Sequence, residues 1–189
     1  MLLILSLKIL VALSVTIFKC VNLWTSNSRA SGNMASHDCI KPYGDKQASF
    51  DRRYLEMALI WAENSYCIRR KVGALIVKGK MIISDGYNGT PSGFENVCED
   101  ENNVTKPYVL HAEANAITKV AKSNNSSENS TLYVTTSPCM ECAKLIIQSG
   151  IKRVVYCNKY RITDGLDLLE RAGIELVYID PENDVYERQ

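Results

Sequence analysis

Two short runs of the chain contain side chains that bind metals or move protons. The first is His111, followed two residues later by Glu113, and the second is the pair Cys139 and Cys142. Zinc prefers imidazole nitrogen and thiolate sulfur, so one His and two Cys could fill three of its four tetrahedral positions. A structural zinc site needs a fourth protein ligand, and residues 40–189 contain no second histidine. The two runs together predict a catalytic zinc site with one open position.

Both runs are expected at the beginning of a helix. Unpaired N–H groups and the helix dipole at such a position favour a thiolate over a thiol. A zinc ion held there lowers the pKa of its bound water, and Glu113 is close enough to move protons without binding the metal. The combination H-x-E and P-C-x-x-C is the signature of zinc deaminases, in which the activated water attacks a ring carbon and ammonia leaves. We therefore expect Glu113 to take a proton from that water and to protonate the ring nitrogen and the departing amino group.

Helical and strand patterns alternate from residue 50 onwards. Helices are predicted over residues 50–70, 111–122, 138–149 and 165–172, and strands over residues 72–77, 80–84, 131–135, 152–157 and 174–179. Lys78-Gly79 predicts a hairpin between the first two strands, and residues 85–107 form a loop long enough to be functional. This alternation predicts an α/β protein whose sheet is covered by helices on both faces.

Composition and charge indicate which kinds of molecule the protein could bind. Hydrophobic residues make up 46% and charged residues 23% of the chain, which is ordinary for a globular protein. The formal net charge is +1, but residues 1–33 hold three basic residues and no acid, so residues 34–189 hold 19 basic and 21 acidic residues. A body of charge −2 argues against a nucleic-acid partner, whereas a single nucleotide needs only one or two local cations. The seven unevenly spaced cysteines do not indicate a disulfide framework and favour a reducing compartment.

The N-terminal region is predicted to lie outside the working domain. Residues 2–18 are almost wholly apolar but short for a membrane span, with Lys8 inside the run. We interpret residues 1–33 as an extension, with a membrane anchor and a secretion signal as alternatives. Residues 34–48 are expected to form a flexible arm, residues 49–180 the catalytic domain, and residues 181–189 a polar tail. The expected location is cytoplasmic.

Four motifs carry a resemblance to a known family. They are Lys71-Val72-Gly73-Ala74, the run G-Y-N-G-T-P-S-G at residues 86–93, the run H-A-E-A-N-A-I at residues 111–117, and the run S-P-C-M-E-C at residues 137–142. Over roughly residues 50–180 the chain resembles the deoxycytidylate (dCMP) deaminases of the cytidine deaminase-like superfamily. The glycine-rich run and Asn115 are the features that point to dCMP within that superfamily.

The resemblance implies a fold, a reaction and several site residues. It implies a three-layer α/β/α sandwich around a mixed five-stranded sheet, a homo-oligomer, and hydrolysis of dCMP to dUMP and ammonia, which supplies the precursor for dTMP synthesis. It also implies that Asn88 binds the sugar hydroxyl and that the backbone of Ala112 reads the base, and we expect Tyr156 to pack on the pyrimidine ring. For Asn88 a turn-forming role, and for Tyr156 a place in the core, are the alternatives. The phosphate candidates are Lys71, Arg69, Arg70, Lys159 and Arg161.

The chain departs from the family at one point. Some members carry a second zinc on cysteines that match Cys67 and Cys98 together with histidines before the H-A-E motif, but residues 99–110 contain neither histidine nor cysteine. We therefore expect one catalytic zinc, no second zinc, and Cys67 and Cys98 as buried thiols. Control by dCTP and dTTP occurs in some relatives and stays open here.

Other functions are compatible with the metal motif. The chain could deaminate another cytosine nucleoside or nucleotide, or a tRNA adenosine. Outside enzymes, it could be an interaction module stapled by zinc, which requires four protein ligands and no open position.

Overall fold

The structure is a computed structural model that describes residues 46–180 and the backbone of residues 185–188. These residues belong to one compact unit, Tyr43–Gln189. The predicted extension over residues 1–33 and most of the predicted arm over residues 34–48 lie outside the described residues. Among the helices described, none is long and apolar enough to span a membrane.

The described residues of this unit form four helices and six strands. The helices are α1 (Lys46–Ala62), α2 (Ala112–Ala121), α3 (Met140–Gln148) and α4 (Asp164–Arg171). The strands are β1 (Gly73–Lys78), β2 (Met81–Tyr87), β3 (Thr131–Thr136), β4 (Arg153–Asn158), β5 (Glu175–Asp180) and β6 (Val185–Arg188).

The strands form one mixed sheet in the order β2-β1-β3-β4-β5-β6. Strand β1 runs antiparallel to both β2 and β3, whereas β3, β4 and β5 are parallel, and β6 returns antiparallel to β5. Parallel neighbours need a crossover, and α3 and α4 provide the two crossovers. The carboxyl ends of β3 and β4 therefore lie at the same edge of the sheet.

The two faces of the sheet are covered by different helices. On one face, alternate residues such as Ile76, Val134 and Val154 pack with buried residues of α2, α3 and α4. On the other face, the intervening residues, such as Leu75 and Val155, pack with α1. This arrangement is a three-layer α/β/α sandwich and confirms the predicted fold class, with the five predicted strands present.

A buried ion pair holds α1 against the sheet. The side chain of Asp51 in α1 is fully buried, and Arg153 of β4 donates to both of its carboxylate oxygens at 2.8 and 2.7 Å. The hydroxyl of Tyr133 in β3 donates to the same carboxylate at 2.7 Å. A buried charge is tolerated only when it is paired and hydrogen-bonded, and these contacts meet both conditions.

The boundaries of three predicted elements change. The first helix ends at Ala62 instead of continuing to residue 70, because the N–H groups of residues 63–65 bond to carbonyls three residues back and close the last turn. The hairpin turn lies at Gly79-Lys80, one residue later than predicted, and both residues have positive φ angles of 55° and 68°. The predicted polar tail contains the sixth strand, β6.

Candidate active and metal site

Three potential metal ligands converge at one edge of the sheet. The Nδ1 atom of His111 lies 3.4 Å from the sulfur of Cys139 and 3.3 Å from the sulfur of Cys142. Ligand atoms of all three residues lie within 4.8 Å of one another. The structure therefore brings together the three residues that the sequence motifs predicted, although they lie up to 31 positions apart.

Two helix starts position these side chains. His111 is the N-cap of α2 and Cys139 is the N-cap of α3, and both have extended backbone conformations. Cys142 lies in the first turn of α3 and is buried. The predicted helices began at residues 111 and 138, so the motif residues stand at the helix starts, where unpaired N–H groups favour negative charge.

The end of β3 is anchored so that Cys139 is held in place. The N–H of Ser137 donates to the carbonyl of Asn158 at the end of β4, and the hydroxyl of Ser137 accepts from the N–H of Tyr160 at 2.7 Å. Gly165 of α4 packs so closely on the Pro138–Cys139 backbone that a Cβ there would overlap the Pro138 carbonyl. A larger residue at position 165 would displace the Cys139 backbone.

The donor set and its spacing fit a zinc ion. Two sulfurs and one imidazole nitrogen around tetrahedral zinc are separated by about 3.5 Å for each N···S pair, given the usual Zn–S and Zn–N bond lengths. The N···S distances of 3.3 and 3.4 Å are close to that value. The described residues supply three ligands in this group, which leaves one tetrahedral position for a water or a substrate atom.

The cluster already favours the charged form of one ligand. Hydrogen bonds from the Cys142 thiol and from His111 lower the pKa of Cys139 to about 3. The hydrogen bond with Cys139 raises the pKa of His111, and the same pairing together with burial raises the pKa of Cys142. Metal binding would replace these protons, because zinc binds thiolate and neutral imidazole.

Glu113 lies beside the three ligands and is shielded from solvent. Its side chain is only 4% exposed, and burial raises the pKa of its carboxyl group above the ordinary value. A raised pKa lets a carboxyl group both accept and return a proton near neutral pH, as a general acid and base must. Glu113 lines the same pocket as His111 and Cys139.

That pocket has a volume of about 520 Å³, which suits a small organic ligand. Its lining includes four cationic side chains: Arg69, Arg70, Lys159 and Arg161. These are four of the five residues predicted as phosphate candidates, and all four are exposed to solvent. The fifth, Lys71, donates instead to the backbone carbonyl of Glu63 at 3.2 Å.

Asn88 lines the pocket, and its side chain already has two backbone partners. Its Oδ1 accepts the N–H of Val72 at 2.7 Å, and its Nδ2 donates to the carbonyl of Arg70 at 2.8 Å. One amide hydrogen and one lone pair remain for further bonds. Asn88 therefore fixes the backbone of residues 70–72, which leads into β1.

Ala112 and Asn115 lie on the helix that begins at the metal ligands. Ala112 is buried, lines the pocket and is the first residue of α2, so its backbone N–H has no partner within the helix. Asn115 donates from Nδ2 to the carbonyl of Tyr87 at 3.0 Å and ties α2 to the end of β2. Asn115 thus helps to position the helix that carries His111 and Glu113.

The expectation that Tyr156 packs on the pyrimidine disagrees with the structure. Its side chain is fully buried, and its ring packs against that of Tyr178 at a centroid distance of 5.6 Å. Tyr156 belongs to the core between the sheet and the helices. The aromatic residue that lines the pocket is Tyr160, which the sequence reasoning missed; its position just after the end of β4 was the available signal.

Cys67 and Cys98 are buried, as expected, but they are not free thiols. The structure joins them in a disulfide with a Cα–Cα distance of 5.1 Å across 31 positions of the chain. Cysteine number and spacing alone indicate no disulfide framework, so the sequence predicts thiols at these two positions. The bond links the segment after α1 to the long loop before α2.

Comparison with known proteins agrees with this geometry. The family described as the cytidine and deoxycytidylate deaminase zinc-binding region matches residues 48–158. The deoxycytidylate deaminase of enterobacteria phage T4 is 36% identical over 172 residues, covering 68% of this chain and 89% of the phage protein. That of Schizosaccharomyces pombe is 37% identical over 151 residues, covering 73% of this chain, so the chain spans 47% of the yeast protein.

A solved structure has a similar fold. The dCMP deaminase of cyanophage S-TIM5, crystallised with dCMP and dUMP, superimposes with a TM-score of 0.68 at 46% identity. The match covers 74% of this chain and 99% of the phage protein. The metal-ligand geometry, the fold and these comparisons agree, and the chain belongs to the zinc-binding cytidine and deoxycytidylate deaminase family.

Proposed function

We propose that the protein catalyses the zinc-dependent hydrolytic deamination of dCMP to dUMP and ammonia. The observation that carries this proposal is the three-ligand set of His111, Cys139 and Cys142 with the buried carboxyl group of Glu113 beside it. Three ligands and an adjacent proton carrier suit hydrolysis, whereas a structural site would use four ligands. The relatives named deoxycytidylate deaminases and the dCMP-bound cyanophage enzyme support the choice of substrate.

The catalytic roles follow from the positions of these side chains. His111, Cys139 and Cys142 would hold the zinc ion, which would lower the pKa of a bound water towards neutrality. Glu113 accepts one proton of the water and delivers it to the ring nitrogen N3 as the water oxygen bonds to C4. It then moves the second proton of that oxygen to the amino group, the C4–N bond breaks, and ammonia leaves. Its burial excludes bulk water, so the proton stays between the carboxyl group and the substrate.

The four pocket cations give the preference for a nucleotide over a nucleoside. A monophosphate carries up to two negative charges, and guanidinium groups bind it with paired hydrogen bonds. Arg69, Arg70, Lys159 and Arg161 are the groups we assign to it. Arg70 also lies over the ring of Tyr160 at 5.8 Å, so Tyr160 limits where that guanidinium can move.

The sugar and the base are assigned to two other residues that line the pocket. Asn88 offers one amide hydrogen and one lone pair to the sugar hydroxyl, and the N–H of Ala112 is available to the base. Tyr160 takes the place that the sequence reasoning gave to Tyr156, because its side chain lines the pocket.

The remaining assignments extend the proposal to the whole protein. We assign it one catalytic zinc ion, a cytoplasmic location, no nucleic-acid partner and a role in supplying the precursor for dTMP synthesis. Possible effectors are dCTP and dTTP. The catalytic domain comprises the predicted residues 49–180 together with the start of α1 at Lys46 and strand β6, and residues 1–33 are assigned as an extension and residues 34–45 as an arm.

An apolar surface supports a homo-oligomer. Residues of α1 and of the segment after it expose large hydrophobic side chains, among them Ile60, Tyr66 and Ile68, which are 65%, 63% and 83% exposed. An exposed apolar surface of this kind commonly marks a protein interface. A second copy of the chain is the partner that we assign to it.

Ammonia release from a panel of substrates tests the proposed function. The panel contains dCMP, CMP, deoxycytidine and a tRNA stem-loop, each with and without dCTP or dTTP. We expect dCMP to have the highest kcat/KM, because the four cations favour a phosphate-bearing substrate over a nucleoside and the named relatives support dCMP as that substrate. A higher kcat/KM for any other substrate contradicts the assignment to dCMP, and no ammonia from any of them contradicts the enzyme assignment.

A further inference from the structure

Glu99 is a buried carboxylate outside the metal cluster whose hydrogen bonds go to one short stretch of backbone. Its side chain is 6% exposed, and both carboxylate oxygens accept the N–H of Ile68, at 3.1 and 3.2 Å. One of these oxygens also accepts the N–H of Arg69 at 3.2 Å. Burial of a carboxylate is costly unless its oxygens are hydrogen-bonded. Here the donors belong to a segment 30 positions away.

That stretch carries two of the four pocket cations. We call residues 67–71 the arginine segment; it lies between α1 and β1 and has no regular secondary structure. Its N–H groups therefore need partners other than a helix or a strand. Glu99 supplies the partner for two of them, directly at the backbone of Arg69.

Glu99 stands on a turn that is itself held firmly. The N–H of Asp100 donates to the carbonyl of Val104 at 2.9 Å, and the N–H of Lys106 donates to the carbonyl of Cys98 at 2.9 Å. The Asp100 carboxylate accepts the N–H groups of Asn102 and Val104, both at 2.9 Å. Residues 98–106, which we call the Glu99 turn, therefore provide a fixed support.

Arg69 is hydrogen-bonded to this turn through both its backbone and its side chain. Its backbone N–H bonds to Glu99, and its guanidinium Nη1 donates to the hydroxyl of Thr105 at 3.2 Å. Thr105, Glu99 and Arg69 all line the pocket. The disulfide between Cys67 and Cys98 joins the same segment to the same turn.

From these contacts we infer that Glu99 is a positioning residue that holds the arginine segment so that Arg69 and Arg70 meet the phosphate of the substrate. The inference rests on the proposed function and names the contact that prepares its phosphate site. An arginine whose backbone is already fixed loses less conformational freedom when it binds a phosphate. Loss of Glu99 therefore weakens binding of phosphate-bearing ligands and leaves the chemistry at the metal unchanged.

The test compares ligands with and without a phosphate in the full zinc-loaded protein. In Glu99→Gln the amide oxygen can still accept, but the other oxygen becomes an NH₂ group that faces the N–H of Ile68 at about the 3.2 Å of the parent contact, and two donors repel each other, so the segment is held less firmly. We expect KM for dCMP and the dissociation constant of dUMP to rise about tenfold, with kcat within about twofold of the parent. The kcat/KM for deoxycytidine should stay within about twofold. Glu101→Gln, an exposed residue on the same turn, is the matched control and should leave all four quantities unchanged.

A purely structural role predicts a different result. Equal losses with dCMP and deoxycytidine, or unchanged binding of dUMP, overturn the inference. In a background with Arg69→Ala and Arg70→Ala, Glu99→Gln should add less than about twofold to KM, because the groups that it positions are gone. A full additional tenfold loss there also overturns the inference. If Glu99→Gln does not fold in thermal unfolding, Glu99→Asp decides, since it keeps the charge but is one methylene too short to reach the segment.

The parent protein separates this inference from the proposed function. If the parent deaminates dCMP and Glu99→Gln behaves like the parent, the inference alone fails. If the parent binds dUMP but does not deaminate dCMP, the proposed function fails and the dUMP comparison still decides the inference. If the parent does neither, both fail.

Discussion

Among single residues, Glu113 is the one whose surroundings best suit a proton carrier, because it is buried beside the metal-binding cluster. It follows His111 by two positions, lies in the first turn of α2, and lines the same pocket as His111 and Cys139. Burial raises the pKa of its carboxyl group, which makes that group a better proton carrier near neutral pH than an exposed glutamate. A zinc ion nearby would oppose this shift, because a positive charge favours the carboxylate.

Glu113→Gln should separate proton transfer from metal binding. The amide has nearly the same size but cannot accept and return a proton, so we expect kcat to fall by about 10²–10⁴-fold or more. Zinc content should stay at that of the parent, because Glu113 is not among the three ligands. The measurements are steady-state ammonia release and metal analysis of the purified protein.

The control for this variant is Glu141→Gln, an exposed residue in the first turn of α3 that pairs with Lys144. Its activity and zinc content should match those of the parent. Full activity in Glu113→Gln would remove Glu113 from the mechanism, and loss of zinc would show that the residue serves the metal site instead.

The site residues that the sequence predicted and those that it missed differ in how local their signal is. His111, Glu113, Cys139 and Cys142 lie in two short motifs, and metal geometry requires their spacing. Tyr156 could not be assigned, because the sheet is covered on both faces and alternation along β4 does not distinguish core from pocket. The contacts of Glu99 depend on residues 30 positions away, which no local pattern indicates.

At the scale of the elements, the contact between β2 and α2 sets the position of His111 and Glu113. The hydroxyl of Ser84 in β2 donates to the carbonyl of Ala116 at 2.7 Å. At Gly86 a Cβ would overlap the backbone oxygen of Ala112 and lie 2.7 Å from the backbone nitrogen of Ala116. The glycine is therefore required for close approach of the helix to the strand.

Gly86→Ala should push α2 away from β2. Because the obstructing atoms are backbone atoms, we expect the free energy of unfolding to fall by about 1–3 kcal/mol. Affinity for zinc should fall as well, since His111 moves with α2 while Cys139 and Cys142 stay on α3. Chemical denaturation and competition with a chromophoric chelator measure the two effects.

Gly89→Ala is the matched control, because the nearest atom to its Cβ would be 4.0 Å away. It should change the free energy of unfolding by less than about 1 kcal/mol. If Gly86→Ala is as stable and binds zinc as tightly as Gly89→Ala, the close packing of β2 and α2 does not control the metal site.

The elements themselves were largely predictable, and their ends were not. Apolar periodicity and turn residues located the first five strands and all four helices. The sequence predicts a first helix that reaches residue 70 because basic residues at its end suit a helix C-terminus, whereas in the structure Glu99 accepts the N–H groups of Ile68 and Arg69. Strand β6 escaped prediction because a short polar edge strand has no burial pattern to indicate it.

For the whole molecule, the metal site and the hydrophobic core are separable. The three ligands lie at the starts of α2 and α3, at one edge of the sheet. The two core clusters cover both faces of the sheet, and neither contains one of the three ligands. Ala112 and Ala143, which are core residues, only adjoin the ligands in sequence. Core packing of this kind does not require the metal, so the fold should persist without zinc.

Removal of zinc should therefore abolish activity and leave the fold in place. A ligand present at 100 times its dissociation constant stabilises the native state by about 2.7 kcal/mol, which corresponds to a fall in Tm of roughly 5–10 °C when it is removed. Chelation followed by far-UV circular dichroism and thermal unfolding should show an unchanged spectrum with this lower Tm. Readdition of zinc should restore ammonia release, because the ligands remain close together. Collapse of the spectrum on chelation would instead favour a module that zinc staples together, in which the metal provides the core and no catalytic position is needed.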